Sequence, residues 1–126
     1  MNVPNDKILQ IIAQTIFDKK GMNILTLDIR DVSTLTDFLV IAEGTVDRHV
    51  SSIGESIVET LKDFNLQPLH TEGIRDGDWV IIDYGDILIH LFIPELRERY
   101  ALETLFNKAK IVDLEIDPSR KVHGQK

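Results

Sequence analysis

The residues best suited to chemistry in this 126-residue chain lie between Asp78 and Tyr100, in the stretch DWVIIDYGDILIHLFIPELRERY. Three aspartates (Asp78, Asp83 and Asp86), the only tryptophan, a Tyr84-Gly85 turn and His90 are set there among β-branched and leucine residues. Two converging carboxylates can hold a divalent cation for nucleotidyl transfer. Strand parity speaks against convergence: Asp78 and Asp86 share a parity with Val80 and Ile82, while Asp83 points the other way. The Gly-Ser segment that would hold nucleotide phosphates is also missing. A metal-dependent nucleotidyltransferase using Asp83 and Asp86 is the alternative reading. The four histidines, His49, His70, His90 and His123, never reach a metal-ligand spacing such as HExxH. Gly73, Gly77 and Gly85 form no phosphate loop, and there is no GxSxG elbow. With no cysteine, thiolate nucleophiles, disulfides and cysteine-bound zinc are excluded. No catalytic residue, metal ligand or cofactor is assigned, and the expectation is a protein that is not an enzyme.

The same segment suits docking. A tryptophan at a strand start is either core or a binding anchor, and truncating an anchor costs ~2 kcal/mol or more. Parity puts Trp79, Ile81 and Asp83 on one face of the strand and Val80, Ile82 and Tyr84 on the other. An apolar face beside acidic groups has the composition of an interaction patch. The candidate partner-binding residues are therefore Trp79, Ile81, Asp83, Tyr84, Gly85, Asp86, His90, Glu95 and Tyr100. Plainer readings stand beside these: His90 as a ring satisfied by one internal hydrogen bond, and Arg48 and His49 as a solvated first helical turn. Net charge is −7, from 14 basic and 21 acidic residues. That balance opposes direct wrapping of nucleic acid, which needs a basic face. It fits a basic protein partner, and it equally serves solubility.

The elements that position these residues follow from periodicity. A helix is predicted from Pro4 or Asn5, with a stripe of Ile8, Ile11, Ile12 and Ile16, ending at Lys19-Lys20 with Gly21 as left-handed cap. Leu25, Leu27 and Ile29 alternate as a half-buried strand, and Phe38 to Ala42 reads as a central strand covered on both faces, closed by Gly44. A second helix is predicted from Val46 to Phe64 on the stripe Val50, Ile53, Ile57 and Leu61. Gly54 within it costs up to ~1 kcal/mol against alanine, which a close helix–sheet approach would justify. Pro68 makes Leu66 to Glu72 an edge strand. Trp79 to Asp83 and Ile87 to Phe92 are strands joined by Tyr84-Gly85-Asp86. Pro94 opens a helix carrying Leu96, Tyr100, Leu102 and Phe106 toward the sheet. Ile111 to Ile116 is a last short strand or an ordered tail, and disorder is expected from Pro118. The sum is one α/β domain: a mixed sheet of about five strands with packed helices. No apolar run approaches the ~18 residues of a membrane span, and the N-terminus has no signal-peptide pattern, so a cytoplasmic protein is expected.

Taken together, Thr36-Asp37-Phe38-Leu39-Val40-Ile41-Ala42, Gly44-Thr45, Asp47-Arg48-His49-Val50, Glu72-Gly73, Trp79 to Asp86, His90, Pro94-Glu95, Arg97, Tyr100 and Leu102-Glu103 resemble the ribosomal silencing factor (RsfS, or Iojap-like) family. The similarity covers about residues 5 to 107. Val46, Glu43 and Phe106 depart from the residues common in the family, and none of them falls between Trp79 and His90. The resemblance implies a nucleotidyltransferase-like topology without catalytic residues, a domain over residues 1–108 and a C-terminal extension over 109–126, partly disordered. It further implies binding to the large ribosomal subunit through ribosomal protein L-fourteen, a block on subunit joining that lowers translation when nutrients are scarce, and a homodimer when free.

Overall fold

The computed structural model describes residues 3–117. The chain runs α1 (Asn5–Asp18), β1 (Met22–Asp28), β2 (Phe38–Glu43), α2 (Asp47–Lys62), β3 (His70–Glu72), β4 (Trp79–Asp83), β5 (Ile87–Phe92), α3 (Pro94–Tyr100), α4 (Leu102–Leu105) and β6 (Lys110–Ile111). The six strands form one sheet in the order β3-β4-β5-β2-β1-β6. Only β2 and β5 are parallel, and the other pairs are antiparallel. The long return from β2 to β5 makes this possible: α2 crosses one face, and β3 and β4 are added beyond β5 before the chain comes back. The α/β class and mixed sheet therefore hold, and the sixth strand is the Ile111 segment pairing with Leu27.

Every residue of β2 is buried, as its unbroken apolar run requires of a strand covered on both faces. On one face, α1 and α2 bring Ile8, Ile12, Ile16, Val50, Ile53, Ile57 and Leu61 against Val40, Val80, Ile82, Ile89 and Leu91. Burying each such side chain contributes about 1.5–3 kcal/mol. Gly54 allows the approach: a Cβ there would lie 3.1 Å from Val80 Cγ1. On the other face, Leu27, Ile29, Leu39, Ile41 and Phe92 are covered by Leu96, Leu102 and Phe106.

Two helix ends differ from the sequence reading. At the end of α1 the left-handed residue is Lys20 (φ 66), not Gly21. The Gly21 N–H donates to the Ile16 carbonyl (2.8 Å) and the Lys20 N–H to that of Phe17 (2.9 Å). This is a Schellman closure, which puts the glycine one position beyond the left-handed site. Gly21 is needed for room, since its Cβ would meet Ile16 Cγ2 at 2.3 Å. The single helix predicted from Pro94 through Phe106 is two helices. Ala101 takes a left-handed conformation (φ 45, ψ 53), and its N–H returns to the Arg97 carbonyl at 2.8 Å, closing α3 before α4 begins.

After β6 the chain lies along α1. The Gln14 side chain donates to the Asp117 carbonyl (2.7 Å) and accepts from its N–H (2.8 Å). The disorder expected from Pro118 onward, and His123, lie outside the described residues. Among the described residues no helix is long and apolar enough to cross a membrane.

Candidate functional site

The register of β4 on β5 sets Trp79 opposite Phe92, Ile81 opposite His90 and Asp83 opposite Leu88. Period-two alternation then puts Trp79, Ile81, Asp83, Leu88, His90 and Phe92 on the sheet face away from α1 and α2. The turn before β4 is built on glycines: Gly73 (φ +76) and Gly77 (φ +83) are left-handed, and the Gly77 N–H donates to the Gly73 carbonyl at 2.8 Å. A Cβ at Gly73 would sit 2.0 Å from the Trp79 carbonyl oxygen.

Four rings meet at this end of the face. Trp79 lies 4.7 Å from Tyr100, 5.0 Å from Phe92 and 5.9 Å from His90, centroid to centroid. Its indole N–H donates to His90 Nδ1 at 3.0 Å. Because Nδ1 accepts, the imidazole is neutral and carries its proton on Nε2. Burial pushes the His90 pKa down to about 4, consistent with that assignment. Trp79 is thus neither fully core nor free: it is half-buried, hydrogen-bonded from below and flanked by Tyr100, which is 47% exposed. The internal hydrogen bond is what the plainer reading of His90 expects.

Tyr100 is carried by α3, and Arg97 fixes α3 on the sheet. Arg97 is buried and pairs with Glu43 (Nη1 to Oε2, 3.3 Å) and Glu103 (Nε to Oε2, 3.3 Å). Its Nη1 also donates to the Asn23 carbonyl. Two carboxylates, from the end of β2 and the start of α4, and a carbonyl in the irregular stretch of β1 converge on one guanidinium, whose planar fork suits such multidentate pairing.

The other end of β4 is built differently. The Asp83 carboxylate accepts the Gly85 N–H at 2.7 Å, closing the turn, and Gly85 is left-handed at φ +91. Thr36 Oγ1 donates to the Gly85 carbonyl (2.8 Å), and the N–H groups of Asp37 and Phe38 donate to that of Asp86 (3.2 and 2.9 Å). Gly85 and Asp86 are exposed. Tyr84 turns to the opposite face, beside a hollow of about 390 Å³ shared with Phe64 and Leu66. Its hydroxyl is shut away with no partner among the described residues, and burial pushes its pKa up to about 12.

The nine residues singled out from sequence therefore do not form one cluster. Trp79, Ile81, His90 and Tyr100 share a face. Exposed Glu95 stands in the first turn of α3, whose start is tied to the Asp78 carbonyl by the Ile93 N–H at 3.0 Å. Asp83 lies about 13 Å along the strand from Trp79, Gly85 and Asp86 lie in the turn beyond it, and Tyr84 is beneath the sheet. Sequence reasoning left Leu88 out of the candidate residues and gave Arg97 only as part of the family resemblance. Parity with His90 would have found the first. A glutamate ending an apolar strand, needing a buried partner, was the signal for the second. Among the described residues no group of three or more His, Cys, Asp or Glu is placed to hold a metal ion.

The chain matches the family model described as "Ribosomal silencing factor during starvation" over residues 3–126. It is 33% identical over 108 residues to the ribosomal silencing factor RsfS of Bacillus subtilis, covering 86% of this chain and 92% of that protein. A mouse relative, "Mitochondrial assembly of ribosomal large subunit protein 1", is 28% identical over 101 residues, covering 78% of this chain and 44% of the mouse protein. A crystal structure of a Chromobacterium violaceum protein superposes with a TM-score of 0.81 at 24% identity, covering 94% of this chain and 98% of that one.

Proposed function

The chain belongs to the ribosomal silencing factor family, and we propose that it binds the large ribosomal subunit through ribosomal protein L-fourteen and blocks joining of the small subunit. Translation then falls under nutrient limitation. The observation that carries this reading is the Trp79–Tyr100 pair, half-buried on an open sheet face of a chain with net charge −7. An aromatic anchor held in place on a rigid sheet pays little entropy on docking, and an acidic surface speeds encounter with a basic partner. In this reading the protein acts in the cytoplasm by steric exclusion rather than catalysis. Residues 1–108 form the ribosome-binding domain, residues 109–126 an extension, and the free protein is a homodimer. The docking set is Trp79, Ile81, His90, Glu95 and Tyr100, with Asp83, Gly85 and Asp86 as a second contact beyond them and Tyr84 supporting the turn from beneath.

Sedimentation with purified subunits is the test. The protein should travel with large subunits, stay behind with small ones, and lower the yield of joined ribosomes. Equal binding to both subunits, or to naked ribosomal RNA, overturns the reading. The nucleotidyltransferase alternative has less support: the Asp83 carboxylate closes the turn on the Gly85 N–H, and among the described residues no group of three or more His, Cys, Asp or Glu is placed to hold a metal ion. Calorimetry with magnesium and nucleotide should give no heat.

A further inference from the structure

We propose that Arg97, which contributes no ring to the docking face, is its positioning residue: it fixes the rotation of α3 so that Tyr100 lies on Trp79. This rests on the docking reading above. Arg97 and Tyr100 are three residues apart on one short helix, so turning either turns the other. Ahead of Arg97, Pro94 and the Ile93 carbonyl, which accepts from the Leu96 and Arg97 N–H groups (3.1 and 3.2 Å), fix where the helix starts. They leave its rotation to the side chains. Behind it, left-handed Ala101 ends the helix on the Arg97 carbonyl, so Tyr100 is the last helical residue and has no further turn to hold it. Tyr100 is also about half open to solvent, at 47% exposure. Its stacking contact with Trp79 alone, about 0.5–1.5 kcal/mol, is weak compared with a guanidinium shared by two carboxylates and a carbonyl.

The charges make the latch specific. Glu43 ends β2 opposite Phe92, the ring that packs against Trp79, and Glu103 stands in the first turn of α4. One guanidinium thus references α3 both to β2, the neighbour of the strand that carries His90 and Phe92, and to the helix that follows. A lysine keeps the charge but presents a point donor, so it can neutralise the carboxylates without setting the helix's rotation.

The only tryptophan is itself the reporter, readable in the free protein without any partner. Arg97→Lys should keep a native far-ultraviolet spectrum and a cooperative melt. Its Trp79 emission should shift to the red, acrylamide quenching should rise about twofold, and large-subunit affinity should fall about tenfold, as expected when a hot-spot ring is no longer held. Tyr100→Ala, which removes an exposed ring, should reproduce the emission and affinity changes. The double variant Glu43→Gln/Arg97→Gln removes one charge of each sign from the network and covers the case in which Arg97→Lys fails to fold. Because Glu103 and the Asn23 carbonyl lose their Arg97 partner, it should melt below wild type but still cooperatively, while showing the emission shift and weaker binding. If either folded Arg97 variant keeps wild-type emission and quenching, the proposal is overturned. It is equally overturned if emission shifts while the variant binds large subunits as tightly as wild type. If the wild-type protein itself fails to bind large subunits, the docking reading has failed, and the emission data still decide whether Arg97 places Tyr100.

Discussion

The two ends of β4 reach the same sheet face by different means. At Trp79 the geometry is made by side chains: the indole rests on Phe92, donates to His90 and meets a tyrosine held through a buried arginine. At Asp83 it is made mainly by the backbone: the Gly85 and Asp86 carbonyls accept from Thr36, Asp37 and Phe38, and a single carboxylate closes the turn. Side-chain architecture gives an anchor whose shape fails when any member is changed. Main-chain architecture gives a loop that, apart from the Asp83 carboxylate, depends little on side chains, so the exposed carboxylate of Asp86 acts chiefly through charge. The first end is suited to holding a partner and the second to meeting it.

Paired glycine substitutions should show this contrast most strongly. Gly73 and Gly85 are both left-handed, so alanine strains each by about 1 kcal/mol. At Gly85 the added Cβ meets only Leu69 Cδ1, at 3.3 Å, and a flexible exposed leucine can yield. At Gly73 it meets the Trp79 carbonyl at 2.0 Å, which cannot move without shifting the strand. Gly73→Ala should therefore lose about 3 kcal/mol or more in urea unfolding, against about 1 kcal/mol for Gly85→Ala. Equal losses would mean that the aromatic end is not backed by this turn. Next in size, Trp79→Ala should weaken large-subunit binding at least tenfold, because ~2 kcal/mol of anchor contact exceeds the 1.4 kcal/mol of one decade. A variant that unfolds instead would assign Trp79 to the core.

His90 gives the aromatic end a pH dependence. Its folded pKa, about 4, lies below the ordinary 6.5. Between these values the unfolded chain takes up a proton and the folded chain does not, so stability falls as pH falls. The contribution of His90 is complete above pH 6.5 and shrinks toward pH 4. Subtracting the melting curve of His90→Gln from that of the wild type removes the background of surface carboxylates. The difference should narrow across that window, with Trp79 emission changing only near its lower end. Parallel curves would show that His90 titrates alike in the folded and unfolded chain, so that burial does not hold it neutral.

Much of this was legible in the chain because period and parity fix it. The bounds of β4 and β5 and the burial of β2 follow from apolar runs and turn residues, and the separation of Trp79 from Val80 by face follows from parity. What was not legible depends on contacts distant in sequence. The left-handed turn at Ala101 is a local exception: its N–H closes on the Arg97 carbonyl four residues earlier, but alanine carries none of the glycine or asparagine signal for that conformation. Arg97 looks like any helix-surface arginine until Glu43, more than fifty residues earlier, is brought beneath it. The acidic residues were grouped with Trp79 because they are close in sequence. An extended strand separates what sequence places together, by about 3.3 Å per residue.

The smallest expected effect tests the acidic end itself. Asp83 and Asp86 differ in what their carboxylates do: Asp83 accepts the Gly85 N–H, whereas Asp86 contributes its backbone carbonyl to the turn and leaves its side chain exposed. Asp83→Ala should therefore lower the melting temperature, because the Gly85 N–H loses its partner, at about 1 kcal/mol. Asp86→Asn should leave the melt unchanged and slow association with the large subunit about twofold at low salt, since a rim charge acts on encounter rate. Raising the salt to 1 M shortens screening to about 3 Å and should bring the two on-rates together. The dissociation rate should not move, because Asp86 lies beyond the aromatic anchor. If Asp86→Asn instead speeds dissociation and leaves the on-rate alone, the acidic turn is part of the packed contact, and the division between an end that meets and an end that holds would have to be abandoned.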